Sequence, residues 1–426
     1  MEPIHRSLSF LCDGQRIVTP EEQKRFHKQR RARFETAKSI LAGPKFPSLA
    51  GCGCRLIDKT GGVSVMHSPS PVGGNVRFAG AASCGSVWVC PHCAPSVTEG
   101  RALEIQRAVD AWIAPVGATM CRMMNWKSND VAMLTLTFSH KAHQPLADLM
   151  RSMKEAQADL RASGSWKNAI KDLSCIGVIR ALEITWGAKN GWHPHVHLVL
   201  FLKEGRDQSA VAARLSQFEE DVFPAWQSAC VANGLGSPSR LRGINIVHGE
   251  TVSEKLALYV AKFGRDPKGH WGIERELAKS HTKTSKIEDD GSQRYHPFGL
   301  LDAYQKTGNE KFRRLFLEYA LAFKGQRQLV WQRGLKDRLS TVGFVSDQRT
   351  DSQLAAAPGT EETPVSTIDR QDWFALCRFG LVEPLRLALL SIPSQVTVHF
   401  FITKARTLYD ERLRSFQARM QPPLCA

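Results

Sequence analysis

The stretch "CIGVIRALEITWGAKNGWHPHVHLVLFL" (residues 175–202) contains two β-forming runs joined by the turn signal "GAKNG", which predicts a β-hairpin. Successive side chains of a strand point to opposite faces, so the three histidines of "HPHVH" share one face. A register centred on the turn places Glu183 opposite His195 on that face, and Trp186 opposite Trp192 on the other. The hairpin therefore carries imidazoles and a carboxylate together.

This set of polar side chains consists of Glu183, His193, His195 and His197. Such a set suits a divalent metal that keeps coordination positions open for substrate. Burying these groups without a metal or a hydrogen-bond partner would cost about 1–3 kcal/mol for each group. The alternative is an edge strand whose histidines face water, which three histidines beside an acid disfavour. The pattern predicts a metal site but does not name a reaction.

Charge gives the first indication of a partner. The 426 residues include 57 Lys and Arg against 41 Asp and Glu, a formal net charge of +16. This excess favours a polyanion such as nucleic acid or an anionic membrane surface, although a basic soluble protein is the simpler alternative. No run of about 18 apolar residues predicts a membrane span, and the first residues lack the pattern of a secretory signal. We expect a cytoplasmic protein with no membrane partner.

The length predicts two or three structural units. Predicted strands cover 131–140, 175–186, 192–202 and 240–249, and predicted helices cover 94–113, 145–163, 207–233 and 251–264. We expect a basic N-terminal segment (1–45), a cysteine-rich module with its following helix (46–113), a catalytic domain (114–345), a linker (346–370) and a helical C-terminal segment (371–426).

Five of the eleven cysteines lie close together in the sequence, which indicates metal binding rather than disulfides in a chain of this kind. Cys90 and Cys93 have the C-x-x-C spacing of a zinc knuckle, and Cys84 is near enough to join them. The fourth thiolate must come from Cys52 or Cys54, with His92 as a weaker competitor. We expect a structural zinc ion here, because the segment has too few apolar residues to fold alone. Reduced core cysteines are the alternative.

The motifs resemble those of the HUH endonucleases, and more closely the rolling-circle replication initiator (Rep) proteins of bacterial plasmids. In order along the chain, the similar segments are "MLTLTFSH", "ALEITWGAKNGWHPHVHLVLF", "ALYVAKFG", "HWGIERELAKSHTK", "HPFGLLDAY" and "FKGQRQLVWQRGLK". The resemblance spans residues 48–340 approximately. It implies an α+β fold with an HUH-type antiparallel sheet flanked by helices. It also favours Cys52 over Cys54, because Rep relatives often carry "CG" followed by a basic residue.

The resemblance assigns the nucleophile to the tyrosine of "ALYVAKFG", which is Tyr259. Lys255 and Lys262 lie four residues before and three after it, so on a helix both share its side. Two ammonium groups near a phenol favour the phenolate and attract a phosphate. The alternative places Tyr259 in an apolar stripe at helical spacing. Some relatives have a glutamate one turn before the tyrosine, where this chain has Lys255, so the route of termination is an open question.

The resemblance implies that Tyr259 nicks one DNA strand, leaving a 5′-phosphotyrosine link and a free 3′-OH, and that strands are later rejoined. The implied cofactor is Mg²⁺ or Mn²⁺ on His195, His197 and Glu183, with His193 as a further candidate ligand. The implied DNA partners are the duplex origin and a single-stranded nick site. A host helicase is also expected, because the chain has no "GxxxxGK[ST]" nucleotide-binding motif with which to drive unwinding itself. The sequence does not indicate an oligomeric state.

Three other functions are compatible with parts of the pattern. A single-strand transposase or a relaxase would share the chemistry. The Rep-like segments after Tyr259 disfavour the transposase, and the absence of an "HxDxxxPHxH" triad disfavours the relaxase. A zinc-containing DNA-binding protein without catalysis is the third alternative.

Overall fold

The computed structural model describes residues 20–68, 75–113, 128–205, 208–248, 285–287, 293–358 and 361–420. The strands are β1 (Val63–Ser68), β2 (Asn75–Ala79), β3 (Ser128–Leu136), β4 (Cys175–Gly187), β5 (Gly191–Gly205), β6 (Ile244–His248), β7 (Ser285–Ile287), β8 (Gln293–Tyr295), β9 (Leu329–Trp331) and β10 (Thr363–Ile368). Within these ranges, no helix is both long enough and apolar enough to cross a membrane.

The longer helices mostly follow the predicted amphipathic segments. The helices are α1 (Pro20–Ile40), α2 (Pro47–Ala50), α3 (Ala94–Ile113), α4 (Leu146–Ala162), α5 (Gly164–Asp172), α6 (Gln208–Ala232), α7 (Pro297–Thr307), α8 (Glu310–Ala322), α9 (Leu335–Ser340), α10 (Asp351–Ala355), α11 (Arg370–Arg378), α12 (Val382–Ser391) and α13 (Gln395–Met420). The C-terminal segment is helical, as the sequence predicts. The predicted helix 251–264 lies outside the described residues.

Seven antiparallel strands form the main sheet in the order β6-β3-β5-β4-β8-β7, and β9 pairs with another part of β4. The predicted hairpin register is confirmed, because Glu183 pairs with His195 and Trp186 pairs with Trp192. Separate helices and antiparallel strands make the fold α+β.

The two faces of this sheet are covered differently. One face, which includes Leu182 and Val196, packs against α4 to α8 in the largest core cluster. The opposite face contributes to a second hydrophobic core. There Val199 and Phe201, in the C-terminal half of β5, pack against α3 and α9. By strand alternation, the histidines lie on this second face, beyond the part that α3 covers. His197 is buried on this face, and His193 and His195 are half-buried.

A second sheet has three strands in the order β10-β1-β2 and packs against α11, α12 and α13. Its strand β10 and the helix α10 both lie in segment 346–370, which the sequence predicts to be a linker. The segment is therefore partly regular structure. The sequence does not predict β10, "TPVSTI", because only Ile368 is buried and the strand has no alternating apolar pattern. The division of the chain into domains is still a prediction.

Candidate functional site

The face of the sheet that carries Glu183, His193, His195 and His197 is called the histidine face. Its most buried histidine is His197, which is 2% exposed. Its Nε2 atom lies 2.9 Å from Glu183 Oε2, and its Nδ1 atom lies 2.9 Å from the Thr135 hydroxyl. Thr135 is the cross-strand neighbour of His197 on β3. The contact with Thr135 fixes the ring, so that Nε2 is directed toward the carboxylate.

His193 lies further along the same face. Its Nδ1 atom is 3.0 Å from Nε2 of His140, which follows β3, and the two rings meet edge to face. The rings of His193, His195 and His197 stack in sequence, with centroid separations of 6.0 and 6.5 Å. Burial lowers the pKa of His193 to about 3, with contributions from His140, His195 and Arg294. Burial also lowers the pKa of His140.

Glu183, His195 and His197 are the candidate ligands for a divalent cation on this face. His197 Nε2 and Glu183 Oε2 are 2.9 Å apart. Two adjacent ligands of an octahedral ion, at bond lengths of about 2.1 Å, would be separated by about 3.0 Å. His195 is half-buried beside them, directly opposite Glu183. The face does not form a cluster of three ligand atoms within 4.8 Å in the described residues, where the cysteines form the one such group.

The cysteine group comprises Cys52, Cys84, Cys90 and Cys93, whose sulfur atoms all lie within 4.8 Å of one another. The Sγ separations are 3.7 Å for Cys52–Cys90, 3.5 Å for Cys52–Cys93 and 3.7 Å for Cys84–Cys93. Four sulfurs at about 2.3 Å from a tetrahedral zinc ion would be about 3.8 Å apart. The cluster could therefore hold a metal such as zinc. The backbone N–H of Cys84 also points at Cys52 Sγ, 3.4 Å away.

Cys54 and His92, the alternative candidates for a zinc ligand, make other contacts. A hydrogen bond with the Cys377 thiol of α11 lowers the pKa of Cys54 to about 7, so Cys54 interacts with the C-terminal helices. His92 stacks on the ring of Phe34, with centroids 4.1 Å apart. Neither residue belongs to the four-cysteine group.

The proposed nucleophile Tyr259 and its neighbours Lys255 and Lys262 lie outside the described residues. The basic N-terminal segment contains α1, and some of its arginines make contacts within the protein. Arg33 forms a bidentate pair with Asp302 at 2.7 Å for each bond. Arg31 donates to a backbone carbonyl of the loop before α12.

Comparison with known proteins agrees with the motifs. Residues 77–213 match the family model Rep_1, described as a replication protein. The resemblance to replication proteins is confirmed. "Protein rep" of Streptomyces lividans is 27% identical over 391 residues, which cover 78% of this chain and 80% of that protein. "Neomycin resistance protein" of Streptomyces cyanogenus is 26% identical over 188 residues, 38% of this chain and 40% of that protein. No solved structure matches the chain.

The sequence alone does not identify two residues on the histidine face, Thr135 and His140. Both lie in the segment "MLTLTFSH", which resembles a Rep motif. Their roles depend on the pairing of β3 with β5 and on the loop after β3, and neither follows from residue spacing. The available signal for Thr135 was a polar residue between two leucines, "LTL" (134–136), on β3.

Proposed function

We propose that the chain is a rolling-circle plasmid replication initiator of the HUH type, which nicks one DNA strand through a tyrosine nucleophile. The observation that carries the proposal is the grouping of His195, His197 and Glu183 on one sheet face of a chain similar to replication proteins. The positive net charge of +16 also favours a nucleic-acid substrate.

His195, His197 and Glu183 would hold Mg²⁺ or Mn²⁺, and His193 is the further candidate ligand. When bound, such an ion polarises a phosphate and stabilises charge on the leaving oxygen. Thr135 contributes by holding His197 with Nε2 toward the ligand position. The sheet supplies rigidity, because β5 is hydrogen-bonded on both sides, to β3 and to β4.

Tyr259 would attack the scissile phosphorus as a phenolate, favoured by Lys255 and Lys262. A bond forms between the phenol oxygen and phosphorus, and the bond from phosphorus to the 3′ oxygen breaks. The phenol loses one proton and the departing 3′-OH gains one, so the step is balanced. The products are a 5′-phosphotyrosine and a 3′-OH that can prime synthesis, and attack by a 3′-OH rejoins strands.

We also propose that Cys52, Cys84, Cys90 and Cys93 bind a structural zinc ion. Cys52 lies before β1, whereas Cys93 immediately precedes α3. Because α3 packs on the sheet face that carries the histidines, the ion would stabilise the position of that helix. Duplex origin DNA would bind the zinc-containing module or α1, and a host helicase would unwind the DNA.

The test is covalent capture. Wild-type protein and His197→Ala are incubated with Mn²⁺ and single-stranded oligonucleotides that tile the plasmid origin region, and adducts are separated under denaturing conditions. We expect wild-type protein to become linked to the 5′ end of one product, with His197→Ala strongly reduced. Binding without any cleavage would favour a non-catalytic DNA-binding protein. Cleavage without a 5′-linked adduct would contradict the tyrosine mechanism.

A further inference from the structure

The C-terminal helices form a groove that the proposed chemistry does not use. A cavity of about 1180 Å³ lies between α11 and α13, beside Cys54. Trp373 of α11 is fully buried in the core under the three-stranded sheet, and its indole N–H donates to the Cys54 carbonyl oxygen at 3.0 Å. Arg406 of α13 forms a bidentate pair with Asp372 of α11, and both bonds are 2.7 Å long. These contacts fix the two helices relative to each other, so the groove is a preformed part of the fold.

The wall of the groove on α11 alternates cations with an aromatic ring. Arg370, Phe374 and Arg378 follow one another at intervals of four residues, so they form a line along one side of the helix at spacings of about 6 Å. All three are exposed and border the cavity. The Arg370 guanidinium lies over the Phe374 ring, 5.8 Å from its centroid. Neither arginine forms an ion pair with any residue that the structure describes.

The opposite wall, on α13, supplies a second ring. Tyr409 borders the cavity and is 47% exposed, similar to the 43% of Phe374 across the groove. Leu413 and Phe416 follow four and seven residues later, on the same side of α13, and both are exposed. The line of exposed apolar side chains therefore continues from the groove along the helix.

The charge of this region favours an anionic ligand. Residues 370–426 contain eight Lys and Arg against four Asp and Glu. Two acids border the groove, and one of them, Asp372, is buried and paired with Arg406. The other, Asp410, is set against Arg370 and Arg378, so the open surface of the groove is net positive.

Exposed rings between cations fit an unpaired strand of nucleic acid. The bases of a single strand can stack on aromatic side chains while guanidinium groups contact the phosphates. A duplex could use the cations but not the rings, because its bases are stacked on one another. An apolar peptide could use the rings but would leave Arg370 and Arg378 unmatched. Single-stranded nucleic acid is the ligand that uses both features.

We propose that the groove between α11 and α13 binds single-stranded DNA. Phe374 and Tyr409 are the stacking platforms, and Arg370 and Arg378 contact phosphates. This inference gives the C-terminal segment a binding role and goes beyond the proposed function, because binding in the groove requires neither the histidines nor Tyr259. It gives the chain a second contact with DNA, built from elements other than those of the histidine face.

The test is ultraviolet cross-linking of the full-length protein to oligothymidylate, followed by tryptic digestion and mass spectrometry. Thymine cross-links to aromatic rings that it contacts, so we expect adducts on peptides 371–378 and 407–412, which contain Phe374 and Tyr409. A thymine–adenine duplex of the same length should not give these adducts. His197→Ala should give them as wild type does, because the histidine face does not contribute to the groove.

Affinity is measured with a fluorescein-labelled oligothymidylate over a range of salt concentrations, without divalent cation. Phe374→Ala should weaken binding about five- to 150-fold through lost stacking. Arg378→Gln should reduce the magnitude of the salt slope by about 0.7. The controls are Phe400→Ala and Lys404→Gln, because both residues are exposed on α13 but lie about 140–180° around the helix from Tyr409. Both controls should bind as wild type does.

The possible results separate this inference from the proposed function. Cross-links confined to residues 128–205, equal cross-linking of the duplex in the groove, or equal loss of affinity in Phe400→Ala and Phe374→Ala would each overturn the groove as a single-strand site. Loss of the groove cross-links in His197→Ala would also overturn it as an independent site. Wild-type protein that cross-links through Phe374 and Tyr409 but forms no 5′ adduct with origin oligonucleotides would support the groove and contradict the proposed nicking function alone.

Discussion

Glu183 Oε2 lies 2.9 Å from His197 Nε2, and the two residues belong to adjacent strands of the hairpin. His197 is 2% exposed, and the side chain of Glu183 is 12% exposed. A carboxylate and an imidazole held this close and largely out of water form a pair that a divalent cation can bridge. This pair is the geometric centre of the proposed active site.

The first prediction concerns Thr135, which orients the ring of His197. Thr135→Val keeps the size and the β-branching of the side chain but removes the hydrogen bond. We expect Mn²⁺ affinity to fall about 10- to 100-fold, the usual effect of losing such a supporting contact. Titration calorimetry measures this, with Thr307→Val on an exposed helix end as the matched control. Equal Mn²⁺ affinity in Thr135→Val and wild type would exclude an orienting role.

The second prediction concerns the four-cysteine cluster. Protein purified without chelator should contain about one zinc ion per chain, and Cys90→Ser should lose it and melt at a lower temperature. The control is Cys175→Ser, because Cys175 lies outside the cluster on β4. Elemental analysis by mass spectrometry measures the zinc. A zinc content near zero in wild-type protein would contradict this prediction.

The third prediction concerns pH. Burial lowers the pKa of His27 to about 2, with nearby Arg30, Arg386 and His92 adding to the effect. His27 is then neutral in the folded protein but takes up a proton in the unfolded chain below its ordinary pKa of 6.5. Neutral His27 therefore contributes fully to the free energy of unfolding above pH 6.5. Below that pH the contribution falls by up to about 1.4 kcal/mol for each pH unit.

The measurement is the free energy of unfolding by denaturant between pH 7.5 and pH 5. His27→Gln should show a shallower loss on acidification than wild type, whereas the exposed His143→Gln should follow wild type. If the wild-type and His27→Gln curves run parallel, His27 is not the source of the pH dependence.

The hairpin could be predicted from sequence because its two signals are local. Alternation of period two sets the faces, and the turn sets the register, so Glu183 opposite His195 follows from spacing alone. Strand β9 has three residues and is held by its partner on β4, so no periodic pattern of its own reveals it. The contacts that Thr135 and His140 make with the histidines depend on the placement of β3, which is set by tertiary packing.

The cysteine cluster was partly predictable for a similar reason. The C-x-x-C spacing of Cys90 and Cys93 is local, but the choice between Cys52 and Cys54 is not. The structure brings Cys52 to the other three sulfurs, whereas Cys54 contacts Cys377 from the far end of the chain. Residue spacing could not distinguish two thiols separated by a single glycine.

Tyr259 is the proposed nucleophile, and the substitution Tyr259→Phe tests this assignment. Phenylalanine keeps the ring but has no oxygen to attack phosphorus. With Tyr295→Phe as control, each variant is incubated with Mn²⁺ and the single-stranded origin oligonucleotide, and both binding and covalent 5′ adduct are measured. We predict that Tyr259→Phe binds the oligonucleotide as wild type does and forms neither nick nor adduct, whereas Tyr295→Phe forms both. Full nicking by Tyr259→Phe would mean that another group is the nucleophile.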